Sequence, residues 1–216
     1  MNDYKETAIE TAQFLLQIKA IKLNNENPFT WASGRKSPIY CDNRITLSYP
    51  EIRTYLRQQF VAKVNEIFAN VDVIAGVATG GIAHGVLVAQ DLGKPFVYVR
   101  SEEKRHGLTN QIEGDIKPGQ TVLVIEDLIS TGGSSLRAVE ALREAGCEVK
   151  GMVAIFTYGL DVAQKAFEDK NVKLLTITDY DTLVATAAEH GYIKNDELAS
   201  LTEWRKDPEK WSNERL

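Results

Sequence analysis

The stretch Thr121-Val-Leu-Val-Ile-Glu-Asp-Leu-Ile-Ser-Thr-Gly-Gly-Ser-Ser135 constrains the fold more than any other part of the chain. Val122 to Ile125 are apolar at every position, so a strand built from them needs cover on both faces, as in parallel sheets wrapped by helices. The run then meets two adjacent carboxylates, Glu126 and Asp127. A turn rich in hydroxyls and glycine follows, and then a helix with apolar positions at Leu136, Val139 and Leu142. In open parallel sheets, ligands bind outside the carboxyl ends of the strands. The glycines let the amides of Thr131, Gly132, Gly133 and Ser134 point inward before a helix N-terminus, which suits a phosphate. Hydroxyls of Ser130, Thr131 and Ser134 add donors. Two acids beside a phosphate site fit a ligand that also presents hydroxyls or a divalent cation; a ribose 5-phosphate does, since its 2′- and 3′-hydroxyls can donate to Glu126 and Asp127. The plainer reading is a polar turn whose acids cap the helix. Neither Gly-x-x-x-x-Gly-Lys-Ser/Thr nor Gly-x-Gly-x-x-Gly occurs in the chain.

The rest of the sequence agrees with an α/β class. Val71–Val77, Phe96–Val99, Val149–Ile155 and Val172–Ile177 read as further strands, alternating with helical stretches at Ile82–Leu92, Ser134–Ala145 and Asp161–Phe167. Asp3 to Ile21 reads as a helix with a capping box at Asp3 and Glu6 and an apolar face of Ile9, Phe14, Leu15 and Ile18. A second helix starts near Tyr49-Pro50, with Ser48 and Glu51 spaced as a capping box and Ile52, Leu56, Phe60, Val64 and Phe68 on its inner face. The tail from Asp181 is helical and polar, with Trp204 and Trp211 docking it. The 216 residues suit one domain. A net charge of −5 argues against nucleic acid or an anionic membrane as the partner. No apolar run reaches the roughly 18 residues of a membrane span, and no leader is visible. Cys41 and Cys147 lack disulfide or metal spacing, as expected in a reducing cytoplasm.

The segment Val122–Ser135 resembles, without a gap, the phosphoribosyl-pyrophosphate signature of type I phosphoribosyltransferases. The resemblance implies that fold: a five-stranded parallel sheet flanked by helices, under a small hood. It also implies transfer of phosphoribose from phosphoribosyl pyrophosphate to a nitrogen base, assisted by Mg²⁺ held through the donor's oxygens rather than by side chains. In this picture 1–48 form the hood, 49–180 the core and 181–216 the tail of a single domain, and Glu126, Asp127, Leu128, Ile129, Ser130, Thr131, Gly132, Gly133 and Ser134 bind the donor. Val77-Ala78-Thr79-Gly80-Gly81-Ile82 fits a second anion nest, with Thr79 and Gly80 receiving pyrophosphate, and equally a simple tight turn.

Two more segments resemble the orotate branch of that family. The charged stretch Tyr98–Gly114 looks like its catalytic loop, in which Arg100, Lys104 and His106 would reach the site of a neighbouring subunit in a homodimer, with Gly107 and Gly114 as hinges. Ser101 stands where some members have a second lysine. Phe29–Tyr40, with Ser33-Gly34-x-x-Ser37-Pro38, resembles the base-binding strip. Members often carry a lysine at the position of Ala32 and an arginine near Tyr158; here Lys36 and Arg35 are the candidates to meet the orotate carboxylate, with Ser130 touching both base and phosphate loop. The resemblance makes Lys104, Arg100, His106 and Asp127 catalytic. His84 and His190 read as structural or surface residues, and Trp31, Trp204 and Trp211 as packing.

Overall fold

The computed structural model describes residues 2–31, 33–68, 70–100, 111–194 and 196–215, with backbone only at 2 and 3. Lys104, His106, Ser101, Gly107, Ala32 and the side chain of Asp3 lie outside the described residues.

Helix α1 (Asn2–Gln17) leads to β1 (Ile21–Leu23), β2 (Phe29–Thr30), β3 (Lys36–Ser37), β4 (Ile39–Cys41) and a 3₁₀ segment at Asn43–Ser48. The core follows as α2 (Pro50–Ile67), β5 (Val73–Val77), α3 (Gly80–Leu92), β6 (Phe96–Val99), β7 (Ile112–Glu113), β8 (Thr121–Ile129), α4 (Gly133–Glu144), β9 (Glu148–Thr157), α5 (Asp161–Asp169) and β10 (Leu174–Asp179). The tail holds α6 (Tyr180–Glu189), α7 (Glu197–Lys206) and α8 (Pro208–Asn213).

One sheet runs β10-β9-β8-β5-β6-β7. Its first five strands are mutually parallel, as the resemblance implies. The sixth, β7, is antiparallel to β6 and was not expected. It is two residues in a polar stretch, too short for alternation to register. The central strands are buried on both faces, with successive residues pointing to opposite sides. Val73, Ala75, Val122, Val124, Met152 and Ala154 pack on one face with α4 and α5, whereas Ile74, Leu123, Ile125, Val153 and Ile155 join α1, α2 and the tail on the other. This double cover is what an all-apolar strand demands.

The expected face of α2 is buried at Ile52, Leu56, Phe60 and Val64. Its expected cap is not formed. Tyr49, not Ser48, is the N-cap, with extended backbone and no side-chain bond. A residue before proline is pushed out of the helical region, so the helix can begin only at Pro50. On α1 the buried face is Thr11, Ala12, Leu15 and Leu16, rotated from the expected one; Phe14 and Ile18 are half-buried. The short pairs β1–β4 and β2–β3, both antiparallel, lie in the 1–48 segment expected to form the hood. Among the described residues no helix is long and apolar enough to cross a membrane.

Candidate active site

The strand order reverses between β5 and β8, so the turns after these neighbours leave in different directions and open a crevice. Pairing of β5 with β8 ends at Gly76 and Ile125, whereas β8 continues along β9 to Ile129 and Thr157. Glu126 and Asp127 therefore lie inside the strand and not after it. They are unpaired on the β5 side.

A cavity of about 410 Å³ fills the crevice. The turn after β8 lines it from Ser130 to Ser135, the turn after β5 at Ala78, Thr79 and Gly80, and the hood's exit at Cys41, Asp42 and Arg44. Gly132, at φ 82°, is the N-cap of α4 and takes a left-handed conformation that favours glycine. At Gly80 a Cβ would fall 2.2 Å from the Asp127 carboxyl carbon, and at Gly81 it would fall 2.4 Å from the Ile125 carbonyl oxygen. Close packing on β8 thus requires both glycines, and the same turn also faces the cavity. The Ala78–Thr79 peptide is cis.

Successive strand residues face opposite sides, so Glu126 turns toward α4 and Asp127 toward α3. Glu126 accepts from the Ser135 hydroxyl at 2.9 Å and from the Asp127 amide at 2.9 Å. Burial, and then the charge of Asp127, pushes the Glu126 carboxyl well above the usual carboxylate range. Burial likewise raises Asp127, opposed in part by Arg44. The pair favours a ligand that brings hydroxyl donors or positive charge.

A second cavity, of about 370 Å³, adjoins the first and shares Cys41, Leu128 and Ser130 with it. Its other lining residues are Thr30, Trp31, Tyr40 and Tyr158, so it is an aromatic slot with few polar groups. Trp31 and Tyr158 lie with ring centroids 5.4 Å apart. Trp31, expected only to pack, thus also lines a cavity.

The expected residues fall into three groups. Asp127, Glu126, Leu128, Ser130, Thr131, Gly132, Gly133, Ser134, Thr79 and Gly80 meet at the first cavity, with Ser130 at the junction of both. Ile129 is not among the lining residues: its side chain is fully buried in the core, and its carbonyl accepts from the Tyr158 amide at 3.1 Å. Position 129 returns to the strand face that packs against α4 and α5, away from the cavity. Arg100 also stays outside the lining and pairs with Glu113 at 3.5 Å. Of the two hood cations, Arg35 turns to Glu209 at 3.4 Å, and Lys36 donates at 2.9 Å to the hydroxyl of Thr30, a residue that lines the slot. His84 is buried, with its ring near Phe60 and Nε2 3.2 Å from the Thr46 hydroxyl, and His190 is exposed. Trp204 and Trp211 are buried packing residues.

The strip Cys41-Asp42-Asn43-Arg44 carries site residues that sequence reasoning missed. Arg44 is clamped bidentately by Asp42, at 2.7 and 2.9 Å. Among the described residues it is the one cation lining the first cavity. Asn43, fully buried, donates to the Asp127 carbonyl at 2.6 Å. No motif or periodicity marks such a residue, because its partner is 84 positions away. Among the described residues no group of three or more His, Cys, Asp or Glu could hold a metal ion.

A glycine-rich turn at a topological switch point, two buried acids beside it and an adjoining aromatic slot accord with one class, a phosphoribosyl transferase domain. The family model of that description matches residues 48–188. An orotate phosphoribosyltransferase of Bacteroides fragilis is 59% identical over 200 residues, covering 93% of this chain and 94% of that protein. One of Listeria innocua is 55% identical over 202 residues, 94% and 97% of the two chains. The crystal structure of orotate phosphoribosyltransferase from Aeropyrum pernix superposes with a TM-score of 0.73 at 29% identity, covering 85% of this chain and 99% of that one. The chain belongs to the orotate phosphoribosyltransferase family.

Proposed function

We propose that the protein transfers a 5-phosphoribosyl group from phosphoribosyl pyrophosphate to N1 of orotate. The products are orotidine 5′-phosphate and pyrophosphate, in the de novo biosynthesis of pyrimidines that leads to UMP. The observation that carries this reading is the junction of two unlike cavities at Cys41, Leu128 and Ser130. A sugar phosphate seated on the Thr131–Ser134 amides, with its hydroxyls on Asp127 and Glu126, would present its anomeric carbon to a flat ring in the aromatic slot.

The C1–O bond to pyrophosphate breaks through an oxocarbenium-like state, so catalysis neutralises the leaving group and steadies the cationic ring. Asp127 and Glu126 serve the ring. Arg44 and the amides at Thr79 and Gly80 face the leaving group from this chain. Lys104, His106 and Arg100 of a neighbouring subunit in a homodimer would close over it and exclude water. Mg²⁺ fits this donor set, in which two adjacent buried carboxylates wait for positive charge; held through the donor's oxygens, it would neutralise charge on pyrophosphate. Orotate reacts at an already deprotonated nitrogen, so no strong base is required. Its carboxylate is met by Lys36, held beside the slot by Thr30, in place of the lysine that members often carry at the position of Ala32 and the arginine some place near Tyr158.

The test is orotate loss by ultraviolet absorbance with phosphoribosyl pyrophosphate and Mg²⁺, against uracil, adenine and hypoxanthine. The expected outcome is turnover of orotate alone, abolished by EDTA. Turnover of another base would keep the phosphate site and discard the reading of the slot.

A further inference from the structure

The aromatic slot has two walls from distant parts of the chain: the β2–β3 hairpin, carrying Thr30 and Trp31, and the Tyr158 turn that follows β9. The C-terminal helices grip both. On the hairpin side, the Lys36 amide donates to the Ser212 hydroxyl of α8 at 2.8 Å, where Ser212 is 2% exposed. On the other side, Arg205 of α7 donates to the Gly159 carbonyl at 3.3 Å. Trp204, fully buried, spans the two, with its ring edge-on to Trp31 at 5.7 Å and to Tyr158 at 5.5 Å. The helices are tied to each other by the Trp211 indole N–H, which donates to the Ser200 hydroxyl at 3.0 Å.

We propose that α7 and α8 are a positioning frame for the base: Ser212, Trp204 and Arg205 set the width of the slot and the place of Lys36 beside it. Ser212 holds the Lys36 backbone while Thr30 holds its ammonium, so moving α8 moves the cation that would meet a planar carboxylate-bearing base. Among the described residues, neither helix contributes a side chain to the lining of the polar cavity. The frame therefore acts on the base and leaves the sugar phosphate alone. This inference rests on the reading of the slot as the orotate site.

The experiment compares Ser212→Ala and Arg205→Gln with wild type, measuring kcat and the KM of orotate and of phosphoribosyl pyrophosphate separately, with Tm alongside. Loss of one buried hydrogen bond should raise the orotate KM on the order of tenfold, while the KM of phosphoribosyl pyrophosphate stays within about twofold. A general loosening of the fold would move both. Equal shifts in the two constants, or none, overturn the frame while wild-type turnover of orotate keeps the slot reading. If wild type does not use orotate, the slot reading fails and the frame with it. Should Ser212→Ala fold poorly, Arg205→Gln on the half-exposed side decides by the same split.

Discussion

Glu126 is an acid kept where its charge is costly. The residue is 5% exposed and sits beside a second acid, and its bonds to Ser135 and the Asp127 amide offset only part of that cost. Folding raises its pKa, so the folded chain holds the proton more tightly than the unfolded one. The resulting penalty is absent below the unfolded value near 4, grows as pH rises, and is complete above the raised folded value. Glu126→Gln removes it. The variant should be more stable than wild type by about 1–3 kcal/mol at pH 8, with a smaller gain at pH 5. Its kcat/KM should fall by about 10²–10³ as a preorganised charge is lost. Denaturant unfolding at the two pH values checks the first claim, and a variant no more stable at pH 8 would show that the native fold already compensates the charge.

The 3₁₀ segment Asn43–Ser48 is the element that joins hood to core. Its Thr46 hydroxyl donates to the Asn43 carbonyl at 2.6 Å, so its oxygen is left to accept from His84 Nε2 on α3. Asn43 in turn holds the Asp127 carbonyl. The Thr46–His84 bond would survive protonation of the ring, but the added proton would sit on the buried Nδ1, which has no hydrogen-bond partner among the described residues, and burial lowers the His84 pKa to about 4. The unfolded state, with its histidine near 6.5, takes up the proton first as pH falls, so stability from this residue is full above about 6.5 and lost toward 4. Wild type should lose about 2 kcal/mol relative to His84→Gln between pH 8 and pH 5, measured by denaturant unfolding; a constant difference would mean that His84 titrates normally. How legible such elements were in sequence follows from how local their causes are. The strand before Glu126 and the inner face of α2 were plain, because apolar periodicity is a property of neighbouring residues. The acids' place inside β8 was not, because it depends on β9 continuing alongside after β5 has stopped. The expected stripe of α1 was rotated by packing against α6 and β10, which no window of its own sequence contains.

For the whole molecule, the described cation lining the polar cavity is Arg44, already paired with Asp42. Two phosphates leaving together call for more positive charge, for which Lys104 and His106 of a partner copy are the candidates. Lys104→Ala should lower kcat by a factor of hundreds. Mixing Lys104→Ala with Asp127→Asn and allowing subunits to exchange should restore about a quarter of wild-type activity, since half the dimers then hold one intact site of two. A mixture that stays inactive after exchange would confine the loop to its own subunit. The sheet itself carries a further consequence. Pairing of β5 with β8 stops at Gly76 and Ile125 while both chains run on, so the two strands part like an unfinished zip. In the proposed reaction a phosphoribosyl group would lie beyond this parting, in the cavity lined by the turns after both strands and by the Glu126 and Asp127 carboxylates. One more pair of rungs would make a firmer sheet and draw the two turns together, so the interruption that weakens the sheet is also what keeps the cavity between them open.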